Sequence, residues 1–183
     1  IKKTKAELYR GSETDVLNRY FMAAKYFDAK NIVRVTGDCP LLDPAVCTQL
    51  LGLFVESSAD YATNNFPPSW PHGLDCEVVS YKWLARANRE ATNKFDREHV
   101  TPYIRGHAEV KKLNLKCSVP GLKNYRWTLD TRKDFEFLSK VFASFSNNEI
   151  VFDYTEIIKI IEKNPEIALI NKDEKTPSRQ VVN

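Results

Sequence analysis

Val33-Arg34-Val35-Thr36-Gly37-Asp38-Cys39-Pro40-Leu41-Leu42-Asp43-Pro44 is the stretch on which the fold reading turns. A short β-branched run ends in Gly37, an acidic residue stands at its tip, and two prolines follow. The pattern predicts a strand over residues 31–36 that delivers a carboxylate. Open α/β sheets bind ligands at the carboxyl ends of their strands, so Asp38 is the first candidate for handling a metal or a phosphate. Taken alone, Thr36-Gly37-Asp38 also reads as a turn, because Gly and Asp are favoured there for backbone reasons.

The flanking sequence supplies the context. Upstream, Ser12 reads as an N-cap with Asp15 three residues on. Val16, Leu17, Tyr20, Phe21, Ala24 and Phe27 recur at helical spacing up to about Ala29. Downstream, Pro44 opens a second helix with Val46, Leu50, Leu51 and Phe54 inward. Helix and strand alternate, which predicts a parallel sheet with helices on its faces. Tyr61–Thr63 reads as a short strand running into the proline-rich loop 66–73, expected to lie over the ligand site. Residues 74–80 read as a strand carrying Asp75 and Glu77, followed by a helix over 81–92 with Trp83, Leu84, Ala87 and Ala91 inward. A helix over 96–104 is expected to break near Pro102. Residues 113–119 and 125–129 read as strands, the second ending in Asp130. A helix over 132–145, capped by Thr131 or Asp130, carries the stripe Phe135, Leu138, Val141 and Phe142. The last helix, 153–163, packs through Ile157, Ile158 and Ile161. The reading is one domain over 1–171 and a polar, disordered tail from Lys172.

Composition bounds the function. The 183 residues are 43% hydrophobic and 11% aromatic, enough for one core. No apolar run is long enough to cross a bilayer and no signal-peptide pattern follows Ile1, so a cytoplasmic protein without membrane partners is expected. Cys39, Cys47, Cys76 and Cys117 have neither zinc-finger nor disulfide-framework spacing and are expected to be reduced. A formal net charge of +3 from dispersed basic residues argues against nucleic acid.

Thr36-Gly37-Asp38 and Thr128-Leu129-Asp130 end in the same way. If their strands are neighbours, both carboxylates face one crevice. Paired carboxylates with water and phosphate oxygens suit magnesium, a hard ion that takes oxygen ligands, and such an ion neutralises charge in phosphoryl or nucleotidyl transfer. The alternative is that each aspartate only caps a helix.

Six blocks in register carry a resemblance. They are Arg10-Gly11-Ser12-Glu13-Thr14-Asp15-Val16-Leu17-Asn18-Arg19-Tyr20, Arg34-Val35-Thr36-Gly37-Asp38-Cys39-Pro40-Leu41-Leu42-Asp43-Pro44, Asp60-Tyr61-Ala62-Thr63-Asn64, Gly73-Leu74-Asp75-Cys76-Glu77-Val78, Arg97-Glu98-His99-Val100-Thr101-Pro102-Tyr103 and Trp127-Thr128-Leu129-Asp130-Thr131. Together, from about Leu8 to Leu169, they resemble the cytidylyltransferase-like proteins of spore-coat polysaccharide biosynthesis, relatives of the synthetases of CMP-3-deoxy-octulosonate and CMP-sialic acids. The resemblance implies a nucleotide-diphospho-sugar transferase fold, a Rossmann-like, doubly wound α/β sandwich. It also implies cytidylyl transfer from CTP to a sugar acid. It makes Asp38 and Asp130 the metal pair for Mg2+, with Asp134 completing the second block. It places Arg97, Glu98 and His99 in a catalytic block at the sugar side, and Arg34, Asn64, His72, Asp75 and Glu77 at the substrate. His99 also fits an ordinary partly buried histidine, and Arg97 with Glu98 a surface ion pair. A homodimer is compatible with the family.

One departure qualifies the resemblance. The family opens with a strand and a Gly-rich loop that cradles the triphosphate, and none of the six glycines here forms such a loop. The expectation is therefore a truncated core with an exposed sheet edge. The alternatives are a glycosyltransferase using a pre-made nucleotide sugar, and a non-catalytic sugar- or nucleotide-binding or partner-docking module.

Overall fold

The structure is a computed structural model that describes residues 5–145 and 153–174. Helices α1 (Val16–Tyr26), α2 (Pro44–Glu56), α3 (Tyr81–Glu90), α4 (Lys94–His99), α5 (Pro102–Gly106), α6 (Arg132–Ser144), α7 (Tyr154–Lys163) and α8 (Pro165–Leu169) accompany strands β1 (Asn31–Arg34), β2 (Tyr61–Thr63), β3 (Glu77–Ser80) and β4 (Lys112–Asn114). The strands form one sheet in the order β1-β3-β2-β4. The α/β class is as expected, but the sheet is mixed. Backbone bonds from Ser80 to Asp60 (3.0 Å) and from Asn64 to Cys76 (3.3 Å) set β3 antiparallel to β2. The reason is local: no helix intervenes between β2 and β3, and a parallel return needs a crossover. The bonds Tyr61 N to Lys111 O (3.2 Å) and Leu115 N to Thr63 O (2.8 Å) set β2 and β4 parallel.

The chain divides into two compact units, one of Ile1–Arg34, Phe54–Ala62 and Val78–Leu113, the other of Val35–Leu53, Thr63–Glu77 and Asn114–Asn183. In the first, α1 packs on α3 and α4, and Leu17, Ala24, Trp83, Leu84, Ala87, Val100 and Ile104 form the core. Helix α1 starts later than Ser12 predicts. Asp15 is the N-cap, its backbone non-helical and its carboxylate accepting from Asn18 N (3.0 Å), while the Ser12 hydroxyl accepts from Asp15 N (3.0 Å). The break expected near Pro102 falls at Val100, whose φ of 73° and ψ of −55° with a 2.8 Å bond from Thr101 N to His99 O make a γ-turn.

In the second unit, Asp43 ties two helices at their starts. One carboxylate oxygen accepts from Ala45 N (2.7 Å) at the head of α2, the other from Tyr154 N (3.0 Å) at the head of α7. Leu41, Val46, Trp70, Leu74, Trp127, Phe137, Leu138, Val141 and Ile157 form its core. The stripe read on α6 is corrected: Phe135 is 63% and Phe142 43% exposed, and Asp134, Phe137, Leu138 and Val141 face inward. The capping box of Thr131 with Asp134 fixes this register, because it turns a buried Asp134 toward the core and carries 137, 138 and 141 with it. Residues 125–129 form no strand beyond a parallel bridge of His72 with Arg126. The strand expected over 31–36 stops at Arg34, and Cys39 N to Thr36 O (3.3 Å) closes a turn through Gly37 and Asp38. Helix α8, absent from the sequence reading, starts at Pro165. The predicted tail lies outside the described residues from 175 onward.

Candidate active site

The two segments that end in Asp38 and Asp130 meet within the second unit. The Asp38 carbonyl accepts from Leu129 N (2.8 Å) and from the Thr128 hydroxyl (3.1 Å), so the tip of the first block is bonded to the residues preceding Asp130. Asp38 is exposed, and the Asp130 side chain is 43% exposed. Cys39 lies beside Asp38, its sulfur 3.3 Å from Thr36 Oγ1 and 3.6 Å from Asp38 Oδ1. Burial pushes its thiol up to about 12, and the charges of Asp38 and Asp75 add to the effect. With its thiol held protonated, Cys39 is a poor nucleophile.

The second part of the site comes from the loop before β3. His72 N donates to Tyr125 O (3.1 Å) and Trp127 N to His72 O (2.6 Å), which zips this loop to residues 125–127. The His72 ring lies between Asp75 (Nε2 to Oδ2, 3.6 Å) and Arg126 (Nδ1 to Nη1, 3.4 Å). Since the guanidinium only donates, Nδ1 accepts, and the ring proton sits on Nε2 toward Asp75.

Arg126 is the hub. Its Nε donates to Asp134 Oδ1 (2.9 Å), and its Nη2 donates to Asp134 Oδ2 (2.8 Å) and Asp130 Oδ2 (2.7 Å). Asp134 is fully buried and also accepts from Asn171 Nδ2 (2.8 Å), Asp130 N (3.1 Å) and Thr131 N (3.0 Å). Burial pushes its carboxyl up, but Arg126, Asn171 and the two backbone N–H groups overcome this and hold it down at about 2. The Arg126 pKa is raised, chiefly by its bond to Asp134.

The residues singled out in the sequence separate into two groups. Asp38, His72, Asp75 and Asp130 share the surroundings just described. Asn64, also in the second unit, is fully buried; its Nδ2 donates to Leu74 O (2.6 Å) and its Oδ1 accepts from Cys76 N (2.9 Å), a clip on the main chain either side of Asp75. Glu77 is buried at the head of β3. Arg34, Arg97, Glu98 and His99 belong to the first unit. Arg97 pairs with Asp15 (3.0 and 2.5 Å) and not with Glu98, and also donates to Asn88 O (2.8 Å) and Oδ1 (3.0 Å), locking α4 to the start of α1. Glu98 is exposed and the His99 ring packs 4.5 Å from Phe95.

Asp134 is saturated with donors and is no metal ligand. Among the described residues no three His, Cys, Asp or Glu side chains converge as a metal set. Asp38 and Asp130 offer two carboxylates, a donor set that fits a hard cation completed by phosphate oxygens and water. Arg126 and Asn171, which bond Asp130 and Asp134, were not singled out in the sequence reading. The spacing Arg126, Asp130, Asp134 is a visible charge pattern, whereas Asn171 is distant in sequence and carries no local signal.

A sequence profile described as cytidylyltransferase matches residues 3–171. An uncharacterized protein of Methanocaldococcus jannaschii is 34% identical over 178 residues, 96% of this chain and 71% of that protein. The spore coat polysaccharide biosynthesis protein SpsF of Bacillus subtilis is 28% identical over 164 residues, 88% of this chain and 67% of that one. The solved structure of a cytidylyltransferase from Leptospira borgpetersenii superposes with a TM-score of 0.85 at 31% identity, covering 96% of this chain and 72% of its own. The fold is thus the Rossmann-like nucleotidyltransferase fold. No described helix is long and apolar enough to cross a membrane.

Proposed function

The chain belongs to the cytidylyltransferase family, and from that premise we propose that it transfers the cytidylyl group of CTP to a hydroxyl of a sugar acid. The hydroxyl oxygen attacks the α-phosphorus, the bond to the bridging β-phosphate oxygen breaks, pyrophosphate leaves, and the hydroxyl proton passes to a base. The product, a CMP-sugar, is read as a precursor of surface polysaccharide because a relative named for spore coat polysaccharide biosynthesis matches most of the chain.

The observation that carries this reading is the bond from Leu129 N to Asp38 O, which brings the two acidic segment ends together. Asp38 and Asp130 are the residues that would hold Mg2+. When bound, the ion neutralises charge on the phosphate oxygens. His72, with Arg126 on one ring nitrogen and Asp75 on the other, is assigned to holding Asp75 in place. Asp75, fixed by Asn64 through the neighbouring backbone, is assigned to the acceptor with Glu77. Arg34 is assigned to substrate, and Glu98 and His99 to the sugar side, by resemblance alone; Arg97 holds their helix through Asp15.

The test has two parts. Pyrophosphate release from CTP is assayed with a panel of sugar acids and Mg2+, and CTP binding is measured calorimetrically with and without Mg2+ on wild type and Asp38→Ala. Release with at least one sugar acid, and Mg2+-dependent CTP binding lost in Asp38→Ala, are expected. Pyrophosphate release from no sugar acid, with CTP binding unaffected by Asp38→Ala, would sink the reading.

A further inference from the structure

The geometry points to Arg126 as a positioning residue: clamped by Asp134 and Asn171, it grips Asp130 by one oxygen and thereby fixes that carboxylate for a divalent cation shared with Asp38. The inference rests on the cytidylyltransferase reading and adds to it a residue that touches neither substrate nor ion.

Three observations carry it. First, the guanidinium is immobile. Asp134 takes it in the planar two-bond geometry that suits Arg, through Nε (2.9 Å) and Nη2 (2.8 Å), and neither side chain is accessible enough to exchange partners with water. Second, Asp134 is itself immobile. Its Oδ1 also receives Asn171 Nδ2 (2.8 Å), whose amide donates to Arg126 O (2.9 Å) as well, and its Oδ2 receives the N–H groups of Asp130 and Thr131. The same carboxylate therefore fixes the backbone of Asp130 and the arginine that grips its side chain. Third, the grip is direct. Arg126 Nη2 donates to Asp130 Oδ2 (2.7 Å).

The charge arithmetic agrees. Asp134, held ionised, neutralises Arg126, so the arginine orients Asp130 without cancelling the attraction of the carboxylate pair for a cation. Hydrogen-bond partners of ligating side chains contribute about 10–100-fold to metal affinity by fixing ligand orientation. Lysine cannot replace this function, since one ammonium does not reproduce a fork that spans two carboxylates.

The experiment is a Mn2+ titration of the full chain, followed by water proton relaxation with no nucleotide present, with urea unfolding of each variant. Asp38→Asn tests the carboxylate pair, and Arg126→Lys tests the positioning role while keeping a cation beside buried Asp134. Asn171→Ala loosens the clamp without removing a charge, and decides the matter if Arg126→Lys does not fold. Ile157→Val lowers stability in the same core, away from the network, and is the control for a purely structural effect. The expected result is Mn2+ binding that is lost in Asp38→Asn, about tenfold weaker or more in Arg126→Lys, weaker in Asn171→Ala, and unchanged in Ile157→Val. Wild-type affinity in folded Arg126→Lys, or in Asn171→Ala if the lysine variant does not fold, together with loss in Asp38→Asn, overturns the positioning role and leaves the metal reading standing. Wild-type protein that binds no Mn2+, or Asp38→Asn that binds it normally, removes the carboxylate pair, and the role of Arg126 falls with it.

Discussion

Gly73 lies against the main chain of Trp127. A Cβ on Gly73 would stand 2.5 Å from the Trp127 carbonyl carbon, 2.6 Å from its oxygen and 2.7 Å from Thr128 N, and its φ of +110° is one that L side chains rarely adopt. The contact matters because Thr128 and Leu129 bond the Asp38 carbonyl and lead into Asp130. Gly73→Ala is therefore expected to cost about 2–4 kcal/mol, from strain and overpacking together, and to lower activity in whatever fraction remains folded. Urea unfolding measures the first. A loss under about 0.5 kcal/mol, the range of an ordinary surface change, would show that the backbone at 127–128 yields freely.

The Asp38 tip, the helix starting at Pro44 and the junction at Asp130-Thr131 were legible because each depends on residues adjacent in sequence: a Gly-Asp turn, a proline at the first helical position, and two capping residues ahead of an apolar run, of which the structure selects Thr131. The partners of those elements were less so. Phe135 and Phe142 look like a core stripe, and only the burial of Asp134 against Arg126 and Asn171 turns α6 away from it. A buried ion pair is not predictable from periodicity, which counts Asp134 as polar and places it outside. Asn64 has the same character, since its role as a clip depends on where residues 74–76 return beside β2.

Asn64→Ala would leave Leu74 O and Cys76 N without their side-chain partner in a dry interior. An unsatisfied buried group costs about 1–3 kcal/mol, so a loss of about 2–4 kcal/mol is expected for the two together. Because Asp75 lies between the clipped groups, the variant should also raise KM for the acceptor more than KM for CTP. Equal effects on both substrates would mean that Asn64 supports the unit in general and Asp75 not in particular.

The pair of Asp15 with Arg97 separates capping from ion pairing. Asp15 accepts from Asn18 N and from two Arg97 nitrogens; partial burial raises its pKa, but the Arg97 bond, the Asn18 N bond and the Arg97 charge together outweigh this and lower it. Asp15→Asn keeps a good N-cap and loses the charge, whereas Asp15→Ala loses both. The alanine variant should be about 1 kcal/mol less stable than the asparagine variant, measured as the difference in urea midpoint at constant m. Arg97→Lys should lower Tm with little change in kcat. A large fall in kcat at unchanged Tm would return Arg97 to direct contact with substrate.

Asp134 supplies a test in acid. Its folded pKa of about 2 lies below the ordinary 3.8, so its ionised form is stabilised by folding. The sign follows: the contribution is complete above about pH 4 and is lost as pH falls through 2. The gap corresponds to about 2 kcal/mol. In Asp134→Asn the same acidification removes nothing at this position, while the buried Arg126 lacks its counter-charge at every pH, a defect that costs about 3–5 kcal/mol. The stability difference between wild type and variant should therefore be largest at pH 5 and shrink by about 2 kcal/mol on approaching pH 2. Urea unfolding of both proteins across that range provides the measurement. A difference constant with pH would mean that Arg126 and Asn171 do not depress the Asp134 carboxyl, and the clamp proposed for Arg126 would lose its fixed anchor.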